Sequence, residues 1–96
     1  MTGYKLNEEA KADLLRIYQR GYEQYGEVQA DDYYYAFFTR FDLIADQPYL
    51  YPAVDHIKSG YRRSVCGADS IYYRVVDGWP EIMRILGRQD VGEELG

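Results

Sequence analysis

The 96-residue chain is short of several residue types that build common sites: it has one cysteine, one histidine and three prolines. A single cysteine cannot form an internal disulfide, and one histidine without a Cys/His cluster leaves no zinc-ligand set. No segment resembles a signal peptide or a membrane span, which favours a cytoplasmic location. We therefore expect no metal, no cofactor and no membrane contact, and we interpret Cys66 as a small buried thiol on a strand.

Motifs for catalysis are also missing. The chain contains no G-x-S-x-G elbow and no glycine-rich phosphate loop, and its only histidine, His56, falls in a predicted loop. Three pairs of adjacent acids occur at positions 8–9, 31–32 and 93–94, but neighbouring residues do not share one face of a helix or strand. We therefore predict no catalytic residue.

Positive charge is scarce as well. The formal net charge is -5, and residues 1–60 hold 6 Lys/Arg against 10 Asp/Glu, whereas residues 61–96 hold 5 against 6. A negative overall field disfavours the phosphate backbone of nucleic acids. The charge therefore argues against direct, sequence-specific nucleic-acid binding.

The N-terminal half of the chain predicts a short strand and two helices. Residues 4–6 read as the strand, and Asn7 is suited to cap the helix that follows. Apolar residues recur at helical spacing until Gly26, from Ala10 to Tyr25, and this pattern places Asp13 on the solvent side. The same spacing restarts after Gly26 and continues until Pro48. We expect a helical hairpin.

The C-terminal third predicts three strands at 61–66, 70–76 and 81–86, rich in β-branched and aromatic residues. Asp77-Gly78 separates the last two runs and suits a tight hairpin turn. The predicted fold is α+β with the order β-α-α-β-β-β, in which the helical hairpin covers one face of a small, mostly antiparallel sheet. We expect a single domain over 1–96, with 87–96 as a flexible tail.

Tyrosine and arginine are the residues that could meet a partner. Twelve tyrosines are an excess for this length, and Tyr33, Tyr34 and Tyr35 are consecutive, so at least one must leave the core. Their use is open between packing at the rim of the core and protein recognition. Arg74 is likewise open between an ion pair with Asp69 or Glu81 and a partner contact.

Several segments together resemble one protein family. They are GYRR (60–63), IYYRV (71–75) and EIMRILGRQD (81–90), preceded by Leu6, EAKADL (9–14) and PYLYP (48–52). In order and spacing they are similar to the ParE branch of the RelE/ParE toxins, over nearly the whole chain. The β-α-α-β-β-β order agrees with that family's fold.

The resemblance implies the toxin of a type II toxin-antitoxin system, forming a hetero-oligomer with a ParD-like antitoxin and inhibiting DNA gyrase by binding. Two alternatives stay open: a RelE-like, ribosome-dependent mRNA endoribonuclease and a non-toxic interaction module. RelE-type toxins carry a C-terminal aromatic residue in their active site, whereas the tail after Arg88 has no tyrosine or histidine. We therefore expect no enzymatic activity.

Two sets of contact residues follow from the resemblance. Candidates for contact with the target are Arg84, Arg88 and Trp79. Candidates for contact with the antitoxin are Arg62, Arg63, Arg74, Tyr33 and Tyr35. We expect an antitoxin segment to lay a helix across the tyrosine-rich outer side of the hairpin and to add a strand to the open edge of the meander.

Overall fold

A computed structural model describes residues 3–87 and 91–95 and confirms the predicted order of elements. The helices are α1 (Glu8–Tyr25), α2 (Glu27–Asp46) and a short α3 (Val91–Glu94). The strands are β1 (Lys5–Leu6), β2 (Tyr61–Cys66), β3 (Asp69–Val76) and β4 (Trp79–Gly87).

The four strands form one mixed sheet in the order β1-β4-β3-β2. The strands β2, β3 and β4 make the predicted antiparallel meander, and β1 runs parallel to β4, with Leu6 opposite Ile82. The turn between β3 and β4 has positive φ at both Asp77 and Gly78, as the sequence indicated. The fold is therefore α+β with a mostly antiparallel sheet.

Both faces of the sheet are covered, but unequally. The helical hairpin packs on one face around Ile71 and Tyr73, which are fully buried. The other face has a smaller cluster, in which Tyr72 and Leu86 pack under the loop before β2 and under Leu95. Cys66 is buried, as predicted, and burial raises the pKa of its thiol.

The start of α1 ties the helix to the sheet. The Asn7 side chain accepts hydrogen bonds from Glu9 N–H (2.8 Å) and Ala10 N–H (3.4 Å), which confirms the predicted cap. The Asn7 backbone N–H donates to the Ile82 carbonyl (3.1 Å) on β4. The far end of α1 differs from expectation, because Tyr25 is exposed. Helical spacing identifies the apolar face of α1, but it does not show how far along the helix that face is covered by other elements.

The edge of the sheet at β2 is partly occupied. The Val54 N–H donates to the Tyr61 carbonyl (2.8 Å), and the Arg63 N–H donates to the Pro52 carbonyl (3.1 Å). Residues 52–54 thus act as a short extra strand, and the half of β2 at 64–66 has no strand on the side away from β3 among the residues that the structure describes.

Of the predicted tail, 87–96, the structure describes Gly87, which is the last residue of β4, and 91–95. There Leu95 is buried in the smaller cluster, and Lys58 Nζ lies 3.4 Å from the Leu95 carbonyl oxygen. The flexibility of 87–96 stays a prediction, and 88–90 and 96 lie outside the described residues.

Two glycines allow a test of packing at the turn between β2 and β3. Gly67 (φ +63°) and Gly60 (φ +82°) share a left-handed backbone, but a Cβ on Gly67 would come within 2.6 Å of the Tyr33 ring, whereas Gly60 has open space. We expect Gly60→Ala to cost about 1 kcal/mol of unfolding free energy from backbone strain. Gly67→Ala should cost ~1 to 3 kcal/mol more because it also displaces Tyr33. Urea unfolding of both variants measures the difference, and equal losses would contradict the packing role of Tyr33.

Candidate functional site

The buried carboxylate of Asp13 joins α1 to β4. Its Oδ2 accepts from Arg84 Nε (2.8 Å) and its Oδ1 accepts from Arg84 Nη2 (3.1 Å), which makes a two-bond fork. Oδ2 also accepts from the Ile85 backbone N–H (2.9 Å). Asp13 is only 4% exposed, so the expectation that it lies on the solvent side is wrong.

The position of β4 in the sheet explains why Asp13 is buried. β1 covers β4 only at Glu81 and Ile82, so the outer backbone groups of Ile85 have no strand to pair with. Asp13 accepts from the Ile85 N–H, and Arg16 Nη2 donates to the Ile85 carbonyl (3.3 Å). Side chains of α1 therefore replace a missing strand, which leaves few unpaired polar groups at this edge.

Arg84 also binds carboxylates other than Asp13. Its Nη1 lies 3.1 Å from Glu94 Oε2 in α3 and 3.5 Å from Glu9 Oε2 in α1. The hydrogen bonds to Asp13, in particular, raise the pKa of the guanidinium. Arg84 is thus a largely covered junction between α1, β4 and α3. Its predicted role as a target contact is untested, and Arg88 lies outside the described residues.

The three arginines predicted to meet an antitoxin differ in their surroundings. Arg74 pairs with Glu81 (2.9 Å), which confirms the ion-pair alternative, although nearly half of its side chain stays exposed. Arg62 donates to the carbonyls of Tyr49 and Tyr51 and so anchors the loop before β2. Arg63 is half-buried and has no carboxylate partner within the described parts of the chain.

Trp79, the remaining target candidate, lies at the tip of the β3–β4 hairpin. It is 49% exposed, and its ring packs over Gly3. Its neighbour across the hairpin, Val76, is also exposed. We call Val76 and Trp79 the hairpin tip; it is an exposed apolar patch on the sheet side of the molecule.

The two tyrosine candidates on α2 point in different directions. The Tyr33 hydroxyl lies 2.8 Å from the Cys66 carbonyl oxygen and 2.9 Å from Asp69 Oδ2, so it holds α2 on the β2–β3 turn. Burial and the bond to Asp69 raise the pKa of Tyr33. Tyr35 is 66% exposed, which confirms that at least one of the three consecutive tyrosines leaves the core.

Tyr35 lines a depression of about 610 Å³ on the solvent side of the helical hairpin. We call this depression the outer groove and define it by Lys11, Leu15, Tyr18, Asp31, Tyr35 and Phe38. Leu15 is more than half exposed even though it is apolar. The Tyr18 hydroxyl donates to Asp31 Oδ1 (2.6 Å), and this bond raises the pKa of Tyr18 to about 12.

A row of packed aromatic rings forms the floor of the outer groove. Ring centroids are 5.6 Å apart for Tyr18 and Tyr34, 5.0 Å for Tyr34 and Phe38, and 5.3 Å for Phe38 and Phe41. Such pairs contribute about 0.5 to 1.5 kcal/mol each beyond area burial. The groove is therefore a rigid, apolar surface of the kind that accepts another helix.

Neither a metal site nor a membrane span is found. Residues 3–87 and 91–95 bring together no group of three or more His, Cys, Asp or Glu side chains suited to a metal ion. Within the same residues no helix combines the length and the apolar character needed to cross a bilayer. His56 is exposed in the loop before β2.

Comparison with known proteins agrees with the fold and with the sequence segments. Residues 4–92 match the family model described as the ParE toxin of the type II toxin-antitoxin system parDE. Toxin ParE1 of Caulobacter vibrioides is 34% identical over 86 residues, covering 90% of this chain and 88% of the relative. Toxin ParE1 of Mycobacterium tuberculosis (strain CDC 1551 / Oshkosh) is 33% identical over 94 residues, covering 96% of each.

A solved structure shares the architecture. A chain of the chromosomal ParDE system from P. aeruginosa superposes with a TM-score of 0.78, covering 91% of this chain and 96% of the other. The two sequences are 21% identical, so this likeness establishes the fold alone.

The different burial of two mid-strand arginines predicts different costs of removing them. Arg84→Ala leaves Asp13 buried without its cation, and we expect a loss of about 3 to 5 kcal/mol in unfolding free energy. Arg74→Ala breaks an exposed pair with Glu81 and should cost about 1 kcal/mol or less. Urea unfolding of the two variants measures both values. Similar losses would show that the Asp13–Arg84 pair does not hold α1 on β4.

Proposed function

The chain belongs to the ParE toxin family of type II toxin-antitoxin systems, and we propose that it inhibits DNA gyrase by binding and is neutralised by a ParD-like antitoxin. The match to the ParE family model over residues 4–92 is the observation that carries this proposal. Gyrase acts in the cytoplasm, so the proposal places the toxin there.

The outer groove supports an antitoxin that contributes a helix. The groove lies between α1 and α2 and has aromatic side chains at its floor. Its exposed side chains include Leu15 and Tyr35. Burying such side chains against a partner helix stabilises a complex by removing apolar area from water. On this basis Tyr35 is the antitoxin contact with the best support from its exposure.

The edge of β2 supports a shorter antitoxin strand than the sequence suggested. Residues 52–54 already pair with the first half of β2, and Arg40 donates to the Val65 carbonyl and to Ser64 Oγ in the second half. A partner strand could therefore lie along 64–66 only, where it would share the Val65 carbonyl with Arg40 or displace Arg40 from it. Arg63, half-buried at that end of the sheet, is positioned to meet an acidic residue of such a strand.

Of the described residues predicted to contact the target, Trp79 in the hairpin tip is more exposed than Arg84. Exposed aromatic side chains often supply much of the energy of protein interfaces, and Trp79 is half exposed on the β3–β4 hairpin, an element that does not line the outer groove. Arg84 stays a candidate, but it already binds Asp13, so removing it also removes structure. Trp79 is therefore the cleaner residue for a test.

The proposal is a binding mechanism without catalysis. Arginine keeps its proton at neutral pH, and the carboxylates around Arg84 raise the pKa of its guanidinium further, so it supplies no general base. The carboxylates of Asp13 and Glu94 beside it would also repel a scissile phosphate. These features support an inhibitor over an RNase.

Two assays on the purified protein test the proposal. We expect it to block the supercoiling of relaxed plasmid by gyrase, or to trap broken plasmid, while mRNA in a translating extract stays intact. Arrest of bacterial growth on overexpression should accompany this result, since a non-toxic module would leave growth normal. Cleaved mRNA with unaffected gyrase would overturn the proposal in favour of a RelE-like nuclease.

Two single variants separate the proposed surfaces and serve as controls for each other. Trp79→Ala should weaken gyrase inhibition at least tenfold and leave the antitoxin-induced rise in melting temperature unchanged, since Trp79 does not line the outer groove. Tyr35→Ala should reduce the antitoxin-induced rise in melting temperature and leave gyrase inhibition unchanged. Melting of each free variant checks folding. Parallel losses in both assays would contradict the assignment of two separate surfaces.

A further inference from the structure

The charges of the helical hairpin are sorted between its two sides. Its three arginines all turn toward the sheet: Arg16 donates to the Ile85 carbonyl, Arg20 pairs with the buried Asp69 (3.3 Å), and Arg40 binds Ser64 Oγ (2.8 Å). The three arginines of the hairpin are thereby held at the sheet, and Arg20 is neutralised there by Asp69. The acidic residues on the solvent side of the hairpin are left without arginine partners from the hairpin.

That solvent side is acidic along the α2 wall of the outer groove. Glu27, Asp31 and Asp42 follow one another at spacings of 4 and 11 residues, which places all three on the face that carries Tyr35 and Phe38. Glu27 lies near the groove residue Tyr18, because it raises the pKa of that phenol as a secondary cause. Asp42 lies near Tyr4, which packs on Phe41 at one end of the aromatic row, and it raises the pKa of Tyr4 as a secondary cause.

One cation lines the outer groove, and it already has a partner. Lys11 Nζ lies 3.0 Å from Glu8 Oε1, and both side chains are more than half exposed. The groove therefore combines an aromatic floor with one lining acid, Asp31, and two further acids, Glu27 and Asp42, on the same face of α2 beside it. Complementary charge on a partner steers association and selects among partners.

We infer that the outer groove binds an amphipathic helix whose apolar face is flanked by lysine or arginine. That a ParD-like antitoxin supplies this helix rests on the proposed function. The preference for lysine or arginine rests on the acidic residues Glu27, Asp31 and Asp42 alone. A second copy of this chain is a poor occupant, because a protein of net charge -5 would bring like charge to an acidic wall.

A pair of synthetic helices tests the charge preference directly. Two capped 18-residue peptides share one leucine-rich apolar face and carry either lysine or glutamate at every flanking position. By fluorescence anisotropy at low salt, the lysine peptide should bind the intact protein at least tenfold more tightly than the glutamate peptide. The difference should shrink as salt is added. Equal binding, preference for the glutamate peptide, or binding of neither would overturn the inference.

Neutral variants locate the effect in the groove. Asp31→Asn keeps an oxygen that can accept from the Tyr18 hydroxyl, and Asp42→Asn keeps the side-chain shape. Each should weaken the lysine peptide on the order of two- to fivefold, as expected for exposed charge pairs. Glu23→Gln is the matched control, because Glu23 is an exposed acid of α1 that lies about 80° to 140° around the helix from the groove residues Lys11, Leu15 and Tyr18, whereas Asp42 shares the α2 face of Asp31. An equal loss in Glu23→Gln would reduce the effect to overall charge and contradict the inference.

The same variants distinguish this inference from the proposed function. If a ParD-like antitoxin binds the wild type and binds Asp31→Asn and Asp42→Asn equally well, the basic-helix inference fails while the antitoxin proposal stands. If no antitoxin binds but the lysine peptide prefers the wild type over both variants, the groove assignment stands and the proposed function fails.

Discussion

The structure depends on how the outer edge of β4 is satisfied. This strand lies inside the sheet, yet the two-residue β1 covers only its beginning, and the polar backbone beyond must find partners elsewhere. Asp13 and Arg16 supply them from α1, and the fork between Asp13 and Arg84 fixes the helix against the strand. A buried carboxylate is costly unless it is fully paired, so this arrangement specifies one position for α1.

The placement of α1 in turn sets the recognition surfaces. Once its polar residues face β4, the helix presents Leu15 and Tyr18 on the opposite side, where α2 completes the outer groove. The three arginines of the hairpin bind groups of the sheet, so acidic residues predominate on α2 beside the groove. The hairpin tip at Trp79 lies on the β3–β4 hairpin and does not line the outer groove, so the proposed antitoxin and target surfaces involve different elements of one small domain.

Tyrosine suits both packing in the core and contact with a partner because it has an apolar ring and a polar end. Tyr33 and Tyr73 place their hydroxyls on backbone carbonyls and so stabilise the packing of α2 and of the loop at Pro48. Burial raises the pKa of Tyr73 to about 12, so the phenol stays protonated. Tyr35 instead leaves its ring in water. Packing is thus the use of tyrosine at positions 33 and 73, whereas the use of Tyr35 in recognition stays a prediction.

Local patterns in the sequence determined the order of elements, the cap at Asn7, the turn at Asp77-Gly78 and, through the ordered segments, the family. Such features depend on neighbours a few residues away, so they can be read along the chain. The burial of Asp13 could not be read in this way. An aspartate on a helix looks like a solvated residue, and its partner Arg84 is 71 residues distant. The directions of Arg16, Arg20 and Arg40 were likewise decided only by the tertiary structure, because a long charged side chain is fixed by whichever carboxylate, hydroxyl or carbonyl the fold brings within reach.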